Sequence, residues 1–299
     1  IMSLFGGKED YPFEWDVATK PIYDEAGATI DGYHEIIRND NQKTLHVATD
    51  RYYPISNQDF MNTVDTLVEH YDCKISSSGS FKDGREVFVQ MENNEFVDTL
   101  IPGDKNGQVK GYVTLGNSHN GGLAFKFFAG LVRIWCENTW TVANKEATTS
   151  LSVKHTVNGS ERVKQFANNI EQIARMQSIN VERIKAKATE RTFNSPEEFA
   201  RNLYRLEQKP RPIMITDENG NRVKSWTAPI YSTRGANLMD NLCETYEKYP
   251  EIEDGNWRMF NAVTDIVDHN SSEKRINNGY TVFGGGNDLK LRAFNLLFN

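Results

Sequence analysis

Leu123-Ala124-Phe125-Lys126-Phe127-Phe128-Ala129-Gly130-Leu131-Val132-Arg133-Ile134-Trp135 is the longest apolar run in the chain, and the fold is read outward from it. Both alternating sets of side chains are apolar, which predicts a central strand covered on both faces. Gly130 marks a bend or bulge within it. Upstream, Ile75–Phe81, the turn Lys82-Asp83-Gly84 and Arg85–Met91 read as a hairpin, and Val109–Leu115 as a further strand. The dense turn signal Asn117-Ser118-His119-Asn120-Gly121-Gly122 leads into the central run. Downstream the period changes. From Ser160, residues Val163, Phe166, Ile170, Ile173 and Met176 fall on one stripe, predicting an amphipathic helix laid on the sheet.

Toward the start, residues 1–30 are short apolar pieces broken by Pro12, Pro21 and Gly27, and read as a loose acidic lead-in. Tyr33–Ile37 and Leu45–Val47 suit short strands. Phe60, Val64, Leu67, Val68 and Tyr71 recur at helical spacing, with Ser56 or Asn57 as cap. Toward the end, Ser195-Pro196-Glu197-Glu198 opens a helix running to about Glu207. Residues 213–230 suit a polar loop or small hairpin turning at Asn219-Gly220. Ala236–Tyr249 and Asn256–His269 read as helices, and a strand, Gly284-Gly285-Gly286 and a last helix close the chain. Strands first and helices later make the class α+β: an antiparallel sheet in the first half, packed by a long amphipathic helix, then a helical second half. The division expected is a lead-in over 1–30, an α+β core over 31–212 and a mainly helical region over 213–299 packed on that core.

The 299 residues are 38% hydrophobic and 11% aromatic, enough for a sizeable core. Neither a membrane span nor a secretory signal is visible, so a cytoplasmic location, in a bacterial host, is expected. Cys73, Cys136 and Cys243 are scattered and odd in number, which suits reduced thiols. The net charge of −7 excludes a globally basic nucleic-acid binder. Yet residues 1–121 hold 10 basic and 20 acidic side chains, 122–211 hold 15 and 9, and 212–299 hold 9 and 12. The middle third is a positive island able to attract phosphates, unless its cations are merely solvated helix faces.

Several spaced motifs resemble one family. Asn117-Ser118-His119-Asn120-Gly121-Gly122, then Val132-Arg133-Ile134-Trp135-Cys136-Glu137-Asn138-Thr139-Trp140, then Lys154-His155-Thr156 are similar to the core signature of phage- and plasmid-like proteins carrying the domain of unknown function numbered 932. Trp257, Asn261-Ala262-Val263-Thr264-Asp265, Val267-Asp268-His269 and Phe283-Gly284 resemble that family's ending. The resemblance spans roughly residues 33 to 297. Trp140 stands where the family usually has Leu, and Trp135 where a β-branched residue is common; neither change breaks a strand. The resemblance implies a phage, prophage or plasmid origin and implies no reaction.

The residues themselves offer little chemistry of the enzymatic kind. His119, His155 and His269 with Asp265 and Asp268 could form a mixed metal site, but no H-x-x-x-H or H-E-x-x-H pair is present, and hydrogen-bonding caps are the simpler reading. No G-x-S-x-G appears. Gly284-Gly285-Gly286 lacks the Lys-Ser/Thr of a P-loop; its N–H groups could take an anion, though a tight turn suffices. Arg133, inside an apolar strand, needs a partner or a groove, either a structural pair with Glu137 or a phosphate contact. No catalytic residue, metal or cofactor is therefore expected.

A mixture of cations and flat rings is what holds single-stranded nucleic acid. The candidate contacts are Lys126, Arg133, Trp140, Lys154, His155, Arg162 and Lys164. Phe125 and Phe127 share a strand face and belong to the core. The function expected is a single-stranded DNA-binding or annealing protein of recombination or replication, assembled as a homo-oligomer. The alternative is a phage protein that binds a host protein, as an anti-defence or assembly factor, its acidic first third suiting a basic partner. An enzyme acting on nucleic acid ranks last.

Overall fold

The computed structural model describes residues 13–70, 73–99, 108–133, 139–141, 150–166, 170–272, 280–281 and 284–299. Strands β1 (Val17–Tyr23), β2 (Thr29–Arg38) and β3 (Thr44–Thr49) form a small antiparallel sheet. The stretch read as loose thus contains a strand. Pro21 and the charges around it hide the alternation, and an edge strand tolerates a proline. Helix α1 (Asn57–His70) follows, with Ser56 as its cap: Asp59 N–H donates to Ser56 Oγ at 3.0 Å.

The main sheet has six strands: β4 (Cys73–Phe81), β5 (Glu86–Thr99), β6 (Gln108–Ser118), β7 (Phe125–Arg133), β8 (Thr139–Thr141) and β9 (Ser150–Val153). Its order is β4-β5-β6-β7-β8, with β9 also paired to β7, and every pairing is antiparallel. Strands β8 and β9 share one edge of β7: β8 runs against Gly130–Val132 and β9 against Phe125–Phe128. A register shift interrupts the β4–β5 ladder between Ile75 and Ser77. The turn before β5 places Lys82, Asp83 and Gly84 at positive φ.

Two apolar clusters form. Phe60, Met61, Val64 and Leu67 of α1 pack on Val87, Val89, Val113, Leu115, Phe125 and Phe127 of the sheet, joined by Val163 of α2 (Gly159–Phe166). Phe125 and Phe127 are core, as their shared face predicts. Helix α3 (Ile170–Lys187) lies against β7 and sends Val181 and Ile184 into the second cluster. That cluster also takes Val109 of β6, Phe199 and Leu203 of α4 (Pro196–Tyr204), Leu242 and Tyr246 of α5 (Thr233–Glu247), Trp257 and Phe260 of α6 (Asn256–Asp268), and Phe294 and Phe298 of α7 (Gly285–Phe298). Ser195 caps α4 by accepting from Glu198 N–H, and the helix stops at Arg205 in the left-handed region, two residues short of the expected end. Between α4 and α5 stands the hairpin β10 (Pro212–Thr216) and β11 (Arg222–Trp226). The chain is α+β, antiparallel sheet first and helices later.

Candidate functional site

β9 ends at Val153, and Lys154-His155-Thr156 turns the backbone into α2. Thr156 N–H donates to Lys154 O at 2.9 Å and Gly159 N–H to Thr156 O at 2.6 Å. Lys154, Arg162 and Lys164 are exposed on this corner. Lys164 Nζ stands 3.8 Å from Asp59 Oδ1 of α1. Lys126 is half-buried opposite Ser152 of β9, on the strand face away from Phe125 and Phe127. Three of the seven candidates, Lys154, Arg162 and Lys164, are thus exposed on the β9–α2 segment, while Lys126 points to the opposite face of the sheet from α2. Arg133 and Trp140 do not join them. Arg133 pairs with Val109 and Trp140 with Leu131, at the other end of β7, roughly 20 Å away along the strand. Their side chains lie outside the described part of the structure. Elsewhere in the basic third, Lys185 is paired with Glu182 at 3.6 Å, Lys209 with Glu207 at 2.8 Å, and Arg191 with Asp254.

His155 is buried, and its ring serves the fold instead of the exposed corner. Its Nε2–H donates to Asn117 Oδ1 at 2.7 Å, while Asn117 Nδ2 donates to Ile55 O at 2.9 Å. Tyr52 stacks at a tilt on the His155 ring and donates its hydroxyl to Ser118 O at 2.9 Å. His119, fully buried, repeats the arrangement: its Nε2–H donates to Asn57 Oδ1 at 2.9 Å, and Asn57 Nδ2 donates to Trp15 O at 3.0 Å. In both pairs the amide nitrogen is committed to a backbone carbonyl. The amide oxygen must then accept, which fixes each imidazole as the Nε2–H tautomer. Trp15 meets His119 edge to face and carries the Arg38 guanidinium 4.0 Å over its ring. The turn itself is closed by Ser118, whose Oγ donates to Leu123 O and accepts from Leu123 N–H, with Gly121 at φ +70°.

Burial dominates the electrostatics here. It pulls His155 down to about 4. His119 falls to about 3, chiefly by burial and secondarily by the neighbouring His155. Both rings are neutral at pH 7, so neither supplies positive charge to a phosphate. Burial pushes the Tyr52 phenol up to about 12. His119 Nδ1 is buried without a hydrogen-bond partner among the described residues. The centre joins the small sheet, α1, β6 and the β9–α2 turn, and so holds Lys154 in place. Of its members, Asn57 is legible only as a candidate cap of α1, and Trp15 and Tyr52 carry no sequence signal for this contact.

The remaining motif residues are structural as well. Asp268 accepts from Lys290 Nζ at 2.5 Å in a nearly buried pair, and Asp265 stands 3.9 Å from Lys248. His269 N–H closes α6 on Asp265 O. Among the described residues no three His, Cys, Asp or Glu side chains are grouped to hold a metal. At the glycine run, Gly286 N–H donates to Tyr280 O at 3.0 Å, so this amide is already committed inside the fold. Cys73 is buried, and burial with Glu197 and Asp240 nearby pushes the Cys243 thiol up to about 11. Cys136 and Glu137 lie outside the described residues.

A cavity of about 300 Å³ opens beside Asn57, lined in part by Trp15, Glu14, Asp16 and Gln58. It offers carboxylates and amides and no Lys or Arg, which does not suit a polyanion. No described helix is long and apolar enough to cross a membrane. No curated protein and no solved structure matches the chain. One family model does, that of the domain of unknown function (DUF932), over residues 44–282, which takes in the histidine–asparagine centre, the β9–α2 corner and most of the later helices. The buried motif residues and this match agree, and the chain belongs to the DUF932 family.

Proposed function

We propose that the protein is a phage- or plasmid-encoded single-stranded DNA-binding protein of the annealing kind, acting in recombination or replication as a homo-oligomer. One observation carries the reading: Lys154, Arg162 and Lys164 are each exposed within the short β9–α2 segment, in a chain that is otherwise acidic. Cations on a rigid turn meet a phosphate backbone without prior ordering, and the neutral His155 beneath Lys154 supplies the rigidity. Binding of a labelled oligothymidylate, followed by fluorescence anisotropy across a salt series, tests it. The triple variant K154E/R162E/K164E should bind at least tenfold more weakly, with a log–log salt slope smaller by about 2. No binding by the native chain at low salt overturns the reading. Size-exclusion mass with and without the oligonucleotide measures the assembly.

A second reading, a phage protein that binds a host protein without catalysis, has its own supporting observation. Tyr33 of β2 and Val47 of β3 lie on one face of the small sheet, each 51% exposed, beside the carboxylate of Glu35. A pair of exposed apolar side chains beside a polar, hydrogen-bonded Glu35 suits a protein partner. Co-purification from infected cells that is lost in Y33A/V47D separates this reading from the first.

A further inference from the structure

The hairpin β10–β11 is exposed along almost its whole length. Its ladder extends toward the body through Thr227 N–H to Arg211 O and through the reciprocal bridge of Lys209 with Ile230. The ribbon so formed is roughly 25 Å long at 3.3 Å per residue. Its tip is closed by Asp217, whose Oδ1 accepts from Asn219 and Asn221 N–H, with Gly220 at φ +81°.

The register sorts its side chains. Ile215 pairs with Val223 and Ile213 with Ser225, so Ile213, Ile215 and Val223 are neighbours on one face, though each remains exposed. Pro212 pairs with Trp226, Met214 with Lys224 and Thr216 with Arg222, which puts Trp226, Lys224 and Arg222 in a row on the other. An apolar face that holds two strands together frees the opposite face to serve as a platform. Of the three tryptophans with described side chains, Trp15 and Trp257 are buried, whereas Trp226 is 59% exposed. Lys224 Nζ sits 5.1 Å from the centroid of the Trp226 ring, steadying one side of the indole. Within the hairpin proper, residues 212–226, Arg222 and Lys224 stand against Asp217 and Glu218. Of those two acids, Asp217 is tied into the turn.

We propose that this ribbon is a second nucleic-acid-binding element, in which Trp226 stacks on a base and Arg222 and Lys224 hold the adjoining phosphates of a single strand. The assignment rests on the reading of the protein as a binder of single-stranded DNA and adds a surface remote in sequence from the β9–α2 corner. A ring followed by two cations at strand spacing matches a strand whose bases are unpaired, because a duplex hides the base faces.

The experiment compares W226A, R222E/K224E and K154E/R162E/K164E with the native chain on two labelled probes: an oligothymidylate and an abasic oligonucleotide of equal length. All substituted ribbon side chains are exposed, and a thermal melt of each variant verifies the fold. On oligothymidylate, W226A should weaken binding at least fivefold, and on the abasic probe it should change little. R222E/K224E should weaken both and reduce the salt slope by about 1. Native affinity in both ribbon variants, with loss confined to K154E/R162E/K164E, overturns the ribbon assignment and leaves the DNA reading standing. Loss in R222E/K224E without loss in W226A also overturns it, since stacking is then absent. Failure of the native chain to bind either probe overturns the DNA reading and the ribbon with it.

Discussion

His155 and Asn117, 38 residues apart in the chain, share a 2.7 Å hydrogen bond in a buried site, and Asn117 in turn holds Ile55 O through its amide nitrogen. One side chain thus ties β6 to both the β9–α2 turn and the entry to α1.

Asn117→Ala should therefore cost about 2–4 kcal/mol, because it strands a buried imidazole N–H and a buried carbonyl together. Urea denaturation checks it: the midpoint falls while the slope stays unchanged. A shift of less than about 0.5 kcal/mol would mean that water satisfies both groups, and the centre would not be the anchor described.

Acid should loosen this centre before it affects the carboxylates. Each buried histidine has its folded pKa depressed below the unfolded value of 6.5, to about 3 for His119 and about 4 for His155. Below pH 6.5 the unfolded chain binds protons that the folded chain does not, so stability is full above pH 6.5 and drains as pH falls toward the folded values. By pH 5 each ring removes about 2 kcal/mol. Denaturation midpoints at pH 7, 6 and 5 measure the slope, and His155→Gln should roughly halve it. A flat profile over that window sinks the assignment.

The Lys290–Asp268 pair is nearly buried on both sides. Asp268→Ala should destabilise by about 3–5 kcal/mol, since it takes the carboxylate away from a buried ammonium. The double variant D268A/K290M should recover much of that loss, because a methionine fills the volume without charge. Thermal melts of the single and double variants decide; a double variant no better than the single one contradicts it.

Gly286 is needed for packing. A Cβ there would lie 2.8 Å from Tyr280 Cε1, Tyr280 O and Val267 Cγ1. Gly286→Ala should cost about 1–3 kcal/mol as α7 is pushed off α6. Gly284→Ala, two residues earlier at the helix cap with an extended φ of −102°, should cost less. Equal losses in the two variants would argue against close approach as the reason.

Periodicity made most of the fold legible. Of the stripe Phe60, Val64, Leu67, Val68 and Tyr71, the first three are the core face of α1, Val68 is exposed and Tyr71 lies outside the described residues, and the caps at Ser56 and Ser195 work as their positions suggest. β1 was illegible because an edge strand exposed on both faces needs no alternation, and Pro21 reads as a break. The candidate corner was legible as charge, through Lys154, Arg162 and Lys164. His155 was not legible as buried, since its partner lies 38 residues away and hydrogen-bond complementarity leaves no periodic trace. The same holds for His119 and Asn57, 62 residues apart. Trp226, Lys224 and Arg222 become a row only when the hairpin register is known, as spacing by two has meaning only on a strand.

The β4 register shift bears on how the protein behaves at high concentration. β4 ends the sheet, so its outer edge is the place where a foreign strand would add. There the chain carries Ser76-Ser77-Ser78-Gly79-Ser80, weak in strand propensity, with an irregularity between Ile75 and Ser77 that spoils a straight ladder. On the opposite side β8 and β9 occupy β7 at both ends. A strand adding at the β4 border therefore meets a segment poor in strand-forming residues, which disfavours pairing there.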